Sequence, residues 1–240
     1  MGLSRRATIW SLAALPATLS LAACGSSSGY QLSYRLQIAI VIAGTRCVGS
    51  AVEKIRWHVG GFLTGFDGVG DYSATAFAEA VIMQLGEKGL LFGLIFPPNT
   101  TKGFDARYVS DVFAADMPLD VQTRDAYRSG TFFKHLQRMD GKYSVGKDHW
   151  PALVRFGDIH DPKSAQIIAP EQLSAVYGPN SYVDDVSVEI THDPVTEQID
   201  KPLPWLSQTH GSFSLFEGPA SAAPDAAKLT RRCFRLDGEV

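Results

Sequence analysis

Residues 34–42 place an apolar side chain at every second position, and this alternation constrains the fold more than any other stretch does. Arg35 and Gln37 occupy two of the intervening positions. A repeat of two is the side-chain period of a β-strand, so the segment predicts a strand with one buried face. Residues 43–45 then turn the chain, and residues 46–59 return as a second strand.

The apolar positions of the returning strand change parity part-way along. Val48 and Val52 are even-numbered, whereas Ile55 and the apolar residues that follow it are odd-numbered. Because a regular strand keeps one parity on each face, the change predicts a bulge or bend near Glu53. The two strands are therefore predicted to form a long, curved hairpin.

The rest of the chain predicts further strands separated by short helices. A second hairpin is expected over residues 77–96, and helical spacing is found over residues 109–113 and 132–139. Alternating strands return at residues 152–156 and 186–190. This order predicts an α+β fold, in which a mostly antiparallel sheet is built from curved hairpins and a few short helices pack on it.

The N-terminal segment has the layout of a secretory signal. Arg5 and Arg6 precede an apolar run, and residues 21–24 read Leu-Ala-Ala-Cys. Small residues directly before a cysteine resemble the lipobox of bacterial lipoproteins. The resemblance implies cleavage before Cys24, diacylglycerol on its thiol, and acylation of the new N-terminus with a fatty acid such as palmitate.

Other interpretations of this segment stay open. It could be an ordinary signal peptide whose cleavage site precedes a cysteine, or an uncleaved membrane helix. The apolar run contains Pro16, however, and is short for a span of about 20 residues. Residues 4–6, Ser-Arg-Arg, also match part of a twin-arginine signal.

The lipobox interpretation divides the chain into four parts. Residues 1–23 are predicted to be a signal peptide, and residues 24–33 a lipidated, flexible tether rich in Gly and Ser. Residues 34–217 are predicted to form a single α+β domain. Residues 218–240, which include an Ala- and Pro-rich stretch, are predicted to be a linker and a C-terminal tail.

The predicted location is the cell envelope, where the protein is lipid-anchored to the inner or outer membrane and faces the periplasm. Gly25 follows Cys24 where an aspartate commonly marks inner-membrane retention, which favours the outer membrane, although this sorting rule varies between lineages. The lipid bilayer is the first expected partner, through the acyl chains on Cys24, and an envelope protein is the second.

Composition excludes some classes of protein. With 45% hydrophobic and 20% charged residues, the chain is typical of globular proteins. Cleavage before Cys24 would remove two arginines and change the formal net charge from −3 to −5. Since lysine and arginine do not cluster in the remaining chain, a nucleic-acid partner is not expected.

Two cysteines remain if Cys24 is lipidated, namely Cys47 and Cys233. An even pair in an oxidising compartment is consistent with a disulfide. A bridge across so long a loop would stabilise the fold by up to about 5 kcal/mol in the chain-entropy model. Two free thiols are the alternative.

A weak candidate for a metal site comes from two predicted turns. The first turn carries Asp158, His160 and Asp161, and the second carries His192 and Asp193. Imidazole and carboxylate ligands could meet there if the adjoining strands pair. Both turns also contain Asp-Pro dipeptides, which favour turns for structural reasons alone, and histidines beside them are usually solvated. No cofactor is therefore expected.

Catalytic signatures are absent from the sequence. The G-x-S-x-G match at residues 25–29 lies in the predicted flexible tether and not in the strand-to-helix elbow of a serine hydrolase. The sequence has no phosphate-binding loop of the Walker type. No residue is therefore assigned a catalytic role. The sequence favours a non-enzymatic protein that is structural or binds a partner. A metal-dependent envelope hydrolase and a lipoprotein that binds a small ligand are the alternatives.

The C-terminal half carries a series of short motifs that resembles an uncharacterised family of bacterial putative lipoproteins. The motifs are Leu153-Val154-Arg155-Phe156, Asp161-Pro162-Lys163-Ser164, Pro170-Glu171-Gln172-Leu173, Tyr177-Gly178-Pro179, Val188-Glu189-Ile190-Thr191, Asp193-Pro194-Val195-Thr196 and Leu203-Pro204-Trp205-Leu206. Because no activity is assigned to that family, the resemblance supplies no catalytic residue. It does not extend to the histidines at 160 and 192. It implies that the mature body is one unit.

Overall fold

Two antiparallel sheets form the framework of the protein. The computed structural model describes residues 28–59, 72–96, 112–208 and 222–238. The strands of these residues are β1 (Ser28–Ile42), β2 (Thr45–Val59), β3 (Tyr72–Glu79), β4 (Val81–Gln84), β5 (Leu90–Gly93), β6 (Lys142–Ser144), β7 (Leu153–Phe156), β8 (Ala165–Ile168), β9 (Tyr182–Ile190) and β10 (Arg235–Asp237). One sheet has the order β10-β3-β2-β1-β9-β6 and the other β4-β5-β7-β8. The predicted α+β fold with a mostly antiparallel sheet is confirmed.

Short helices connect the strands. They are α1 (Arg124–Ser129), α2 (Thr131–Leu136) and α3 (Leu173–Tyr177), together with several 3-10 turns. Gly130 separates α1 from α2 with a φ of +75°, a left-handed conformation that glycine adopts without steric cost. The helix predicted over residues 109–113 falls mostly outside the described residues. No helix in the described part of the chain is long and apolar enough to cross a membrane.

One face of the six-stranded sheet, the inner face, is covered by the four-stranded sheet and by the α1–α2 hairpin. Near the β1–β2 turn, Gly49 approaches β4 so closely that a Cβ would lie 2.3 Å from the carbonyl oxygen of Ile82. At the other end of the sheet, Phe133 of α2 stacks on Tyr30 at 5.5 Å between ring centroids and lies 5.2 Å from Trp57. The alternating apolar residues of β1 thus fill one continuous core.

The β1–β2 hairpin pairs regularly, so of the bulge or bend predicted near Glu53 and Lys54 the bulge was wrong. The pairing runs along both strands without a shift. Val48 lies on the outer face and is 44% exposed. Val52 lies on the same face and is buried where Thr196 bonds to its backbone. The parity change therefore reflects cover on the outer face, and a register shift occurs instead between β1 and β9, after Ala39.

The second predicted hairpin, residues 77–96, divides between the two sheets. β3 ends at Glu79 in the six-stranded sheet, and β4 begins at Val81 in the four-stranded one. Ala80 is buried between them, and its N–H donates to the carbonyl oxygen of Phe234 at 2.8 Å. Only the β4–β5 half pairs as predicted. The sequence does not reveal the switch because apolar residues continue on both sides of Glu79.

The first strand begins earlier than the sequence predicts. The predicted tether covers residues 24–33, but β1 begins at Ser28. Tyr30 and Leu32 continue the alternation of β1 and are buried in the core, where they gain the free energy of apolar burial. The predicted signal peptide, Cys24 and the rest of residues 1–27 lie outside the described residues.

The C-terminal residues belong to the folded body and do not form the predicted tail over residues 218–240. β10 pairs with β3 at the edge of the six-stranded sheet. Leu229, Phe234 and Leu236 are buried. Burial of these apolar side chains is favourable and stabilises the packing of the segment on the core. Of the predicted linker, residues 218–221 lie outside the described part of the chain.

Candidate functional site

A segment that follows β9, here called the bridging segment (residues 191–203), ties together strands of the six-stranded sheet. Near its start, Asp193 forms an ion pair with Arg35 of β1. Near its end, Asp200 forms an ion pair with Arg235 of β10. Between these two points the segment also bonds to β2 and β3. It therefore links β1, β2, β3 and β10, which are neighbours in the six-stranded sheet.

The middle of the bridging segment fills a gap in the sheet. β2 and β3 pair only as far as Lys54 and Phe77, after which β3 leaves toward the second sheet. Beyond that pair, the Val52 N–H donates to the Thr196 hydroxyl at 2.8 Å, and the Thr196 N–H donates to the Val52 carbonyl oxygen at 3.1 Å. Thr196 thus satisfies the backbone groups that β3 leaves without partners.

A buried carboxylate holds the next residues of the bridging segment. Glu79 is 3% exposed, and its Oε2 accepts the N–H groups of Gln198 at 2.5 Å and Ile199 at 3.0 Å. Burial raises the pKa of the Glu79 carboxyl, while the two N–H groups and Arg235 act to lower it. Arg235 Nη1 lies 3.8 Å from Glu79 Oε1. The carboxylate therefore acts as a clamp on the segment.

Two cavities flank the bridging segment. The first, here called the cationic groove, has a volume of about 430 Å³. Its lining residues come from β2, from β3 and from the bridging segment: Lys54, Arg56, Phe77, Pro194, Val195 and Glu197. The second cavity, of about 400 Å³, lies beside Ser50, Gln84, Gln198 and Lys201. Both volumes fall in the range of about 300–1,000 Å³ that small-molecule sites occupy.

The cationic groove combines two positive charges, one negative charge and an apolar wall. The Arg56 guanidinium carbon lies 5.2 Å from the centroid of the Phe77 ring, within the range of a cation–π contact. Gly238 also lies close to this ring, since a Cβ at Gly238 would lie 3.0 Å from the Phe77 Cζ. Among the described residues, neither Lys54 nor Arg56 forms an ion pair with a carboxylate. The groove can therefore receive an anionic group.

The candidate metal residues serve as turn-forming groups instead of meeting in one place. Asp158 Oδ1 accepts the His160 N–H at 2.9 Å, and Asp161 Oδ1 accepts the N–H two residues farther on at 2.9 Å. In the second turn Asp193 pairs with an arginine of β1, and His192 is exposed. Across the described ranges, no group of three or more His, Cys, Asp or Glu side chains is placed to hold a metal ion.

Cys47 and Cys233 are free thiols, so the disulfide between them is not formed. The sulfur of Cys47 faces the carbonyl oxygen of Thr45 at 4.0 Å, near the β1–β2 turn. The sulfur of Cys233 lies 3.6 Å from the Thr230 hydroxyl, in the 3-10 turn before β10. The cysteine count allowed the bridge, but the two residues lie in different elements with local partners. The predicted lipidation residue, Cys24, lies outside the described residues.

Sequence reasoning missed the cationic groove, although part of its signal was readable. Lys54 and Arg56 are two residues apart on a strand, so they must lie on the same face. The groove residues of the bridging segment lie about 140 positions later in the chain, and only the path of that segment brings them there.

No family model, no curated protein and no solved structure matches this chain.

Proposed function

We propose that this chain is a lipoprotein of the bacterial cell envelope, anchored by acyl chains on Cys24, and that its folded body acts by binding a partner at the membrane. The lipobox at residues 21–24, behind Arg5 and Arg6 and an apolar run, is the observation that carries the anchor. A structural or partner-binding role fits a body whose most elaborate feature is the bridging segment with its two cavities.

The position of the first strand supports a body held close to the bilayer. β1 begins at Ser28, four residues after Cys24. Four residues of extended chain span at most about 14 Å. With acyl chains on Cys24, the proposed anchor would hold the end of the sheet where β1 begins and β2 ends at a short distance from the membrane. Such a tether suits a protein that binds a lipid headgroup or a neighbouring envelope protein.

Metabolic labelling with palmitate tests the anchor. The wild-type chain is expected to incorporate label and to fractionate with membranes, whereas Cys24→Ser is expected to lose both properties. Cys47→Ser is the matched control, because it also removes one thiol but lies in the folded body. Label that persists in Cys24→Ser, or that is lost in Cys47→Ser, would contradict the proposed anchor.

Cross-linking in intact membranes tests the binding role. Affinity purification after cross-linking should recover a reproducible partner, or cross-linked lipid, with the wild-type chain and not with Cys24→Ser. The same recovery from the unanchored variant would show that membrane attachment does not position the body for binding. An empty result with the wild type would contradict the binding role.

A further inference from the structure

We propose that the cationic groove binds a zwitterionic phosphodiester of the phosphoethanolamine type, with its phosphate between Lys54 and Arg56 and its ammonium group at Glu197. This goes beyond the anchor itself, because it assigns a ligand class to a site in the folded body. The membrane-bound form of such a ligand is a phospholipid headgroup, and that part of the inference rests on the proposed function.

The phosphate position follows from the two cations. Lys54 and Arg56 are alternate residues of β2, so their Cα atoms are about 7 Å apart and their side chains leave the same face of the sheet. Within the described part of the chain, neither side chain is neutralised by a carboxylate. A guanidinium offers phosphate a planar pair of N–H donors, and an ammonium group adds a compact point charge.

The groove is organised before any ligand enters. Phe77 pairs with Lys54 in the β2–β3 ladder and lies under the Arg56 guanidinium at 5.2 Å. Gly238 lies close to the same ring. An arginine already held against a ring loses less side-chain entropy when it binds phosphate. The Phe77 ring also joins Pro194 and Val195 in an apolar wall, which suits the glycerol and first methylene groups of a lipid.

Glu197 makes the groove selective for a ligand that carries a positive charge as well as a phosphate. Its side chain lines the same groove as Lys54 and Arg56. The backbone on either side of it is fixed, because Thr196 bonds to β2 and the Gln198 N–H bonds to Glu79. A simple anion would be repelled by this carboxylate, whereas the ammonium group of phosphoethanolamine would be attracted to it.

The groove lies at the end of the sheet that the anchor would hold at the bilayer. In the β1–β2 ladder, Arg56 pairs with Gln31 and Lys54 with Ser33. Gln31 is three residues from Ser28, a distance of about 10 Å along the strand. Because only a short chain separates Cys24 from β1, the groove is within reach of the headgroups of the leaflet that holds the acyl chains.

Calorimetric titration of the detergent-solubilised full-length protein tests the site directly. The probes are glycerophosphoethanolamine, glycerophosphate and ethanolamine. Glycerophosphoethanolamine is expected to bind most tightly, and Arg56→Gln or Lys54→Gln should weaken it by about tenfold or more. Lys201→Gln is the matched control, since Lys201 is an exposed lysine beside the other cavity and should leave binding unchanged.

Glu197→Gln separates the zwitterion from a plain phosphate. This variant should bind glycerophosphoethanolamine about two- to fivefold more weakly and glycerophosphate no more weakly than the wild type does. Equal losses for both probes, or equal effects of Arg56→Gln and Lys201→Gln, would overturn the assignment. The absence of saturable glycerophosphoethanolamine binding by the wild type would also overturn it. Thermal unfolding of each variant first checks that the variant is folded, so a loss of binding cannot be due to unfolding.

A bilayer measurement distinguishes the source of the ligand. The protein is reconstituted into nanodiscs of phosphatidylcholine with or without phosphatidylethanolamine, and hydrogen exchange of residues 54–58 is followed. Slower exchange with phosphatidylethanolamine supports a lipid ligand. Binding of the soluble probe without this protection supports the site but assigns it to a free phosphodiester. Palmitate labelling of Cys24 is independent of both results, so failure of this inference and failure of the anchor can be told apart.

Discussion

Replacing Glu79 tests the clamp on the bridging segment. In the variant Glu79→Ala, the N–H groups of Gln198 and Ile199 lose their acceptor. Gln198 is exposed, so water replaces the carboxylate there, but Ile199 is fully buried and its N–H would have no partner. The ion pair of Arg235 with Glu79 would also be lost.

The expected destabilisation follows from these groups. A hydrogen bond to a charged acceptor contributes about 1.5–3 kcal/mol, and a buried N–H without a partner costs about 1–3 kcal/mol. Relief of the buried charge of Glu79 offsets part of this loss. We expect Glu79→Ala to lower the free energy of unfolding by about 2–4 kcal/mol, which corresponds to roughly 4–16 °C in Tm for a chain of this size.

Glu79→Gln is the matched control, because its amide oxygen can still accept both N–H groups while the charge is removed. Thermal unfolding at pH 7 should place this variant within about 1 kcal/mol of the wild type. Hydrogen exchange at residues 198 and 199 should quicken in the alanine variant and not in the glutamine variant. An alanine variant as stable as the wild type, or a glutamine variant as unstable as the alanine one, would refute the clamp.

The difference in stability between the wild type and Glu79→Gln should also depend on pH. Burial raises the pKa of Glu79 above the reference value of 4.5 that applies in the unfolded chain. The folded state therefore binds the proton more tightly, and the contribution of this group to stability grows as pH falls from neutral and is complete below pH 4.5. The stability of the wild type relative to Glu79→Gln should thus increase on acidification. A difference that decreases would contradict the raised pKa.

Two further predictions concern the packing of the sheets and the thiols. Gly49→Ala should destabilise the fold by about 1–3 kcal/mol in urea unfolding, since its Cβ would lie 2.3 Å from the backbone of β4. Gly29→Ala is the control and should be tolerated, because its Cβ would lie 4.0 Å from the nearest atom. Equal effects of the two variants would contradict the packing of β2 on β4. A reductant should leave Tm unchanged, because Cys47 and Cys233 are free thiols. Cys47 should be alkylated faster than Cys233, since burial raises the pKa of the Cys233 thiol. A Tm that falls on reduction would mean that a disulfide is present.

The main framework could be predicted from local pattern. The alternation that begins at Tyr34 predicts β1 because a one-sided strand must alternate, and Gly130 marks the boundary between two helices because it favours a left-handed backbone. Such signals reside within a few residues. The extent of β1 was underestimated, since the Gly- and Ser-rich residues before Tyr30 are typical of a tether even though Tyr30 and Leu32 already belong to the core.

Features that depend on distant contacts could not be predicted in this way. Val52 is buried on the outer face of β2 where Thr196 bonds to it, so it does not share the parity of the residues on the inner face. Nothing near Val52 in the sequence indicates this contact. Glu79 ends an apolar strand as an ordinary charged residue would, and its role as a buried clamp requires the path of residues 196–199. The cationic groove is defined by the same path. Local periodicity identifies strands, whereas the site arises where a connection crosses them.

Mass spectrometry of the mature N-terminus tests the lipid anchor on Cys24. The protein is purified from membranes, digested, and its N-terminal peptide is sequenced. We expect a peptide that begins at Cys24 and carries a diacylglyceryl group on the thiol, so that the folded body begins at Ser28 within a few residues of the lipid. A mature chain that begins at another residue, or a Cys24 with an unmodified thiol, would contradict the membrane anchor and the position of the groove at the bilayer.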